Sequence, residues 1–336
     1  MTLSWRVLAV LTALIAVPAG LAARTANAPG GRPSAGGVIT KELQFGPSRL
    51  ALSFNPAEFK LAEQDITDWV LRSARATATF FGRFPASQVH IVIEPVGGGI
   101  VASGITHADP RARIRVDVGR HTTREALKRD TTMVHEMTHL AFPDLDDAHL
   151  WLHEGVASYV EVVASAQALE ISPAAAWARL THELPMGLPE RGDQGLDSTP
   201  SEDRRYWGGA LFWLTADIEI RQRTGNRLGL KDALRAILAA GGTLAHTWTV
   251  ERALGIGDRA VGGSVLRDLY ATWKDRPMAP DLDVLWTELG VHKTDGRVRL
   301  VDTTPLAPIR RAITEMPARP LLLIAPSLVR ESAQLR

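Results

Sequence analysis

The run His135-Glu136-Met137-Thr138-His139 constrains this chain more than any other segment, because its residues have a shared use only on a helix. Four residues advance an α-helix by about one turn, so both imidazoles leave the same face and reach a single ion. Glu136 projects one position further round, where it can meet a water beside that ion without becoming a ligand. The flanks read as helix too. Thr122 and Glu125 have capping-box spacing, Val134, Met137, Leu140 and Ala141 make an apolar side, and Pro143 ends the segment. The pattern predicts one helix over about Thr123 to Ala141. A surface helix with two unrelated histidines is the plainer alternative, and it is the residues downstream that weigh against it.

Composition narrows the setting. With 336 residues there is room for one large domain or two lobes. A formal net charge of +1 and the lack of any dense Lys/Arg block disfavour nucleic acid as a partner. There is no cysteine, which excludes disulfides, thiolate metal sites and cysteine nucleophiles.

The N-terminus has the form of an export signal. Arg6 precedes an apolar run from Val7 to Ala23, bent near Pro18 and Gly20, and Ala26-Asn27-Ala28 supplies small residues at a cleavage site. Residues 1–28 are therefore expected to be removed, which makes the protein secreted or periplasmic; an uncleaved membrane anchor is the alternative. No later segment is long enough to span a membrane, so no stable span is expected after cleavage. Residues 29–37 (PGGRPSAGG) have linker composition.

Periodicity then sketches the folded part. Asp65 to Phe81 carries helically spaced apolar residues, Val89 to Ile93 reads as a buried strand, and Arg113 to Val118 alternates as a half-exposed strand does. Helices are predicted over about Ala148 to Ser165, Trp207 to Thr224, Leu230 to Ala240, Val265 to Lys274 and Asp281 to Leu289. The expected domain covers 38–300, with lobes of about 38–145 and 146–290, followed by a C-terminal tail over 301–336.

A second motif follows the first. Trp151-Leu152-His153-Glu154-Gly155-Val156-Ala157-Ser158-Tyr159 resembles the W-L-x-E-G-x-A-x-Y segment of the gluzincin metallopeptidases, peptidase MA-like group. In that family the Glu is the third zinc ligand, on the helix after H-E-x-x-H, and Glu154 matches it. The resemblance thus implies one Zn2+ per chain held by His135, His139 and Glu154, with a position left open as catalytic sites require. Gly155 is expected to let the two motif helices approach closely. Tyr206-Trp207-Gly208-Gly209 is similar to the Y-x-x-G segment of the aminopeptidase N and glycyl-aminopeptidase branches, where the Tyr hydroxyl helps stabilise the oxyanion; Tyr206 takes that role by resemblance. Glu161, seven residues after Glu154 and on the same helix face, is a candidate to bond the free nitrogen of a metal-bound His. His153 is read as flanking the site.

The resemblance implies an α+β zincin-like fold, with an N-terminal lobe of small mixed sheet plus active-site helix and a mostly helical C-terminal lobe. It implies a zinc-dependent peptidase acting on a peptide or protein substrate, with Glu136 as general base. A catalytically inert zincin-fold binding or assembly factor of the cell envelope is the alternative. Two departures stand out. The spacer from His139 to Glu154 is shorter than in aminopeptidase N, and the G-x-M-E-N segment that grips a substrate amine is missing. Gly97 to Gly104 (GGGIVASG) stands at its place and carries no acid. The export reading is tested by sequencing the protein recovered from its host: the mature chain should start at Pro29, whereas Met1 retained on a membrane-bound product would make the segment an anchor.

Overall fold

The computed structural model describes residues 8–11, 37–294, 297–316 and 327–332. The expected signal and linker lie outside the described residues, apart from 8–11 and Gly37. Among the described residues no helix is long and apolar enough to cross a membrane.

Strands come first. β1 (Leu8–Leu11), β2 (Ile39–Phe45), β3 (Ser48–Phe54), β4 (Gln88–Val96), β5 (Val101–His107) and β6 (Arg113–Gly119) lie in one sheet with a late strand, β9 (Ser327–Ser332). The order is β1-β5-β6-β4-β3-β2-β9, so a five-stranded mixed core runs from β5 to β2. β3, β4 and β6 are parallel neighbours, while β5 pairs antiparallel with β6 and β2 with β3. Helix α1 (Glu63–Phe81) makes the crossover from β3 to β4. Alternation decides which face is covered: Val89, Ile91 and Ile93 of β4 and Ile114, Val116 and Val118 of β6 are buried, whereas Arg113 and Arg115 between them are exposed.

The remainder is helical. α2 (Arg124–Arg129), α3 (Thr132–His139), α4 (Leu150–Gln167), α5 (Pro173–Glu183), α6 (Gly209–Arg223), α7 (Leu230–Ala239), α8 (Val250–Val261), α9 (Val265–Trp273) and α10 (Leu282–Leu289) follow, then a hairpin of β7 (Val291–Thr294) and β8 (Arg297–Leu300), and α11 (Ala307–Thr314). This is the expected α+β division into a sheet lobe and a helical lobe.

Two cores meet at α3. Met133, Met137 and Leu140 join the sheet core with Ile66, Trp69 and Val70 of α1. Val134 and the following Ala141 and Phe142 join the helical core with Phe80 and Phe81. The helix bearing the motif therefore lies along the seam between the lobes. Behind it, every residue of α4 from Trp151 to Gln167 is buried, as expected of the central helix of a bundle.

Local readings need three corrections. The single helix expected over Thr123 to Ala141 is broken between α2 and α3. Asp130 is extended, and its carboxylate accepts from the Thr132 backbone N–H at 3.0 Å and from the Thr132 hydroxyl at 3.1 Å, so Asp-Thr-Thr acts as a fresh start. The cap before α2 is Thr123, not Thr122; its hydroxyl oxygen accepts from the Ala126 N–H. The stretch expected as a tail over 301–336 contains a packed helix: α11 buries Ile309 and Ile313, and the Ile313 carbonyl accepts from the Gln167 side chain at 2.7 Å.

Gly155 also serves a different neighbour from the one expected. A Cβ there would stand 2.4 Å from the Gly209 carbonyl carbon of α6, and one on Gly209 would stand 2.3 Å from the Trp151 carbonyl oxygen. The close approach is between α4 and α6. In an open helix Gly→Ala gains about 1 kcal/mol, whereas forcing atoms into a packed contact costs about 1–3 kcal/mol. With backbone on the far side the second effect wins, and Gly155→Ala is expected to lower the thermal midpoint of unfolding; an equal or higher midpoint would show that the helices can move apart.

Candidate metal centre

The residues of the first motif come together as helical spacing requires. Ligand atoms of His135, Glu136 and His139 all lie within 4.8 Å of one another, and all three side chains are buried. From α4, Glu154 Oε2 lies 3.3 Å from His135 Nε2 and 3.8 Å from His139 Nε2. Glu161, two turns along α4, sets Oε2 3.1 Å from His135 Nδ1. His135 thus has one ring nitrogen toward the Glu154 carboxylate and the other toward Glu161. His153 stands behind: its ring centroid is 5.9 Å from that of His139, and its Nε2 is 2.5 Å from the Pro143 carbonyl oxygen.

Tyr206 reaches the group from an unexpected local structure. Residues Arg204–Gly208 form a π-helical turn before α6 begins at Gly209, where an α-helix starting near Trp207 was expected. Such widened turns recur at functional sites because they re-aim a side chain. Buried Arg204 anchors the turn through Asp193 at 2.9 Å and the carbonyls of Gly187 and Met278. The Tyr206 ring stacks on His135, centroids 6.0 Å apart and planes 22° apart, and its hydroxyl donates to Glu154.

Two residues outside every motif, Thr106 and Arg179, also reach these carboxylates. Thr106 on β5 points its hydroxyl at Glu136, 2.6 Å from Oε2 and 3.0 Å from the Glu136 backbone oxygen. Two positions earlier on the same strand face is Gly104, where a Cβ would fall 2.5 Å from Glu136 Oε1. The strand thus leaves room for the carboxylate with one residue and holds it with the next. Arg179 of α5 bonds Glu161. Strand period links Gly104 to Thr106, but nothing local in the sequence links either to Glu136.

Burial dominates the electrostatics. It pushes the Glu136 carboxyl up to about 8, against the opposing pull of His135 and the Thr106 hydrogen bond. It also drives His139 well below its ordinary value, reinforced by His135 and His153, so that this imidazole is neutral with a lone pair to give. Burial would lower His135 as well, but its hydrogen bonds to Glu154 and Glu161, with the charges of both, prevail and hold it up at about 10. Glu154 is raised by burial, whereas for Glu161 burial is the largest single influence but is outweighed by Arg179, His135 and Thr131 acting together, so its carboxyl is lowered. The carboxylates thus draw positive charge to the point between the two rings.

A metal ion fits that demand. Among the described residues, His139 Nδ1 and Nε2 and Glu136 Oε1 are buried with no hydrogen-bond partner, a state polar groups rarely keep without a ligand. Two imidazoles with a carboxylate from another helix are a donor set suited to zinc.

Neither protein-family models nor curated protein sequences match the chain. Solved structures do match by shape. An aminopeptidase N family protein from Idiomarina loihiensis aligns at 15% identity with a TM-score of 0.58, over 76% of this chain and 49% of that one. An M1 zinc metallopeptidase from Deinococcus radiodurans aligns at 20% identity with a TM-score of 0.48, over 73% of this chain and 53% of that one. This chain therefore spans about half the length of the solved structures it matches. The first likeness establishes the fold, an α+β architecture shared with the aminopeptidase N family protein.

Metal titration tests the site directly. The protein should bind one equivalent of zinc, and His135→Ala, His139→Ala and Glu154→Ala should each abolish tight binding. Because His135 is raised, a proton competes with the ion, so affinity should rise between about pH 6 and about pH 8, by at most about tenfold per unit for each proton displaced. Full occupancy in Glu154→Ala would place the carboxylate ligand elsewhere.

Proposed function

We propose that this chain is an exported zinc-dependent peptidase, with the ion held by His135, His139 and Glu154 and with Glu136 as general base. One observation carries the reading: beside the three donors lies a fourth buried group, Glu136, fixed by a strand rather than by the donors. A structural zinc site takes four protein ligands and has no use for such a carboxylate. Zinc held there would supply Lewis acidity, bringing a water's pKa to about 7 and polarising a carbonyl.

The chain's own residues do the rest. Glu136, which burial makes a stronger base than a solvated carboxylate, takes a proton in its ionised form from the attacking water and returns it to the leaving amine. Thr106 holds one of its oxygens, which leaves Oε1 to carry the proton. The Tyr206 hydroxyl is pushed above its ordinary range by burial and by Glu154 and Glu136, so it remains a donor and can bond the developing oxyanion.

The substrate, on this reading, is a peptide lying extended along β5 near Gly97 to Gly104. Residues 8–11 already pair antiparallel with β5 in backbone register, which supports an edge that accepts an added strand. Removal of residues 1–28 on export would leave that edge open. Neither Gly97 to Gly104 nor the rest of β5 carries an acid to grip a free amine, so the reading extends to peptide bonds in general.

The deciding experiment is a peptide mixture incubated with the protein, with and without chelator, and read by mass spectrometry. Chelator should stop cleavage. Glu136→Gln should retain zinc and lose activity by about a hundredfold or more. Tyr206→Phe should lower kcat by about a hundredfold with KM little changed. Cleavage by Glu136→Gln at the unmodified rate would refute the base, and zinc binding with no cleavage of any peptide would favour a binding factor.

A further inference from the structure

We propose that Arg179 is a positioning residue for the metal centre, fixing His135 through Glu161 and so setting how tightly zinc is held. The proposal rests on the zinc reading above but concerns a residue outside both motifs.

Arg179 lies on α5, whose N-terminus is capped by Ser172 and whose Ala176, Trp177 and Leu180 are buried against the helical core. Its backbone is therefore a fixed platform. The guanidinium is fully committed, each nitrogen to a different element or residue. Nε donates to both oxygens of Glu183, one turn along α5, at 2.9 and 2.8 Å. One terminal nitrogen donates to Glu161 Oε1 on α4, and the other to the Thr131 hydroxyl at the start of α3.

Both of the distant contacts lead to the same imidazole. Glu161 uses its second oxygen, Oε2, on His135 Nδ1 at 3.1 Å. Thr131 is the N-cap of α3, and its carbonyl accepts from the His135 backbone N–H at 3.0 Å. Arg179 therefore grips the side-chain partner of His135 and the backbone turn that His135 stands on. A carboxylate with one oxygen clasped cannot swing, so the plane of Glu161 and the ring it bonds are set together. That aims Nε2 at the point shared with His139 and Glu154. Partners of this kind around a metal-ligating histidine are worth about 10–100-fold in metal affinity.

The geometry calls for arginine rather than a mere charge. The Glu161 side chain is 5% exposed and that of Arg179 27%, so the pair is weakly screened at the carboxylate end. Three partners in three directions need a planar fork, and a lysine ammonium on a flexible stem cannot hold them in one geometry.

The test is zinc affinity by chelator competition, which needs no substrate. Arg179→Gln should weaken zinc binding about ten- to a hundredfold, and Arg179→Lys should recover only part of that loss. If the effect passes through Glu161, then Glu161→Gln combined with Arg179→Gln should bind zinc no more weakly than Glu161→Gln alone. Circular dichroism on each variant establishes folding; should Arg179→Gln not fold, Arg179→Lys and its combination with Glu161→Gln complete the same cycle. Unchanged affinity in folded Arg179 variants, or losses that multiply in the double variant, would overturn the proposal while leaving the zinc reading intact. An unmodified protein that binds no zinc would overturn both.

Discussion

Burying three carboxylates beside two imidazoles is the constraint on which the rest of the structure depends. An ionised carboxylate taken from water without a partner costs several kcal/mol. Glu136, Glu154 and Glu161 are all buried within one hydrogen-bonded neighbourhood. Each is answered from outside its own helix: Glu136 by Thr106 of β5, Glu154 by His135 and Tyr206, Glu161 by His135 and Arg179. The two lobes must therefore close on one another for the charges to be tolerated. The seam position of α3 follows, since there β5, the central helix α4 and the π-helical turn all reach the same few ångströms.

Backbone economy at the same seam explains the small residues. β5 can lie against α3 only because Gly104 leaves space for the Glu136 carboxylate. α4 can bring Glu154 in while still packing on α6 only because Gly155 and Gly209 let the two backbones touch. In both places a side chain is given up so that a functional one can be placed, which is why packing and chemistry cannot be varied independently here.

How much of this is legible in the sequence follows from how local each signal is. His135, Glu136 and His139 are related by helical period; Glu154 comes by resemblance to the gluzincin segment, and Glu161 follows from it by two turns of the same helix. Tyr206 comes by resemblance, but its π-helical turn does not, because the cause is Arg204 binding distant carbonyls of Gly187 and Met278. The break before α3 is local, in Asp130, yet neither Pro nor Gly marks it in the run from Thr123 to Ala141. Thr106 and Arg179 are 30 and 18 residues from the carboxylates they bond, and each stands in an ordinary-looking strand or helix. The docking of α11 is invisible for a further reason: Arg310 and its neighbours give the segment a tail-like composition, while Arg310 is in fact buried on the carbonyls of Leu289, Gly290 and Val301.

The position of Tyr206 carries the argument one step beyond static geometry. A phenol has a single proton to donate, and here it is given to Glu154. In the proposed reaction the same proton must serve the oxyanion, so the hydroxyl has to change acceptor as negative charge develops. The ring need not travel far, since it is stacked on His135 and the turn beneath it is pinned by Arg204. An acceptor already occupied costs something to leave, and a donor freed only when a stronger acceptor forms favours the transition state over the bound substrate, which is the condition for a gain in kcat rather than in binding. Anchoring the turn while leaving the hydroxyl free to change acceptor reconciles a rigid site with that transfer. It also assigns Arg204 a role in holding the ring, though not in the chemistry itself.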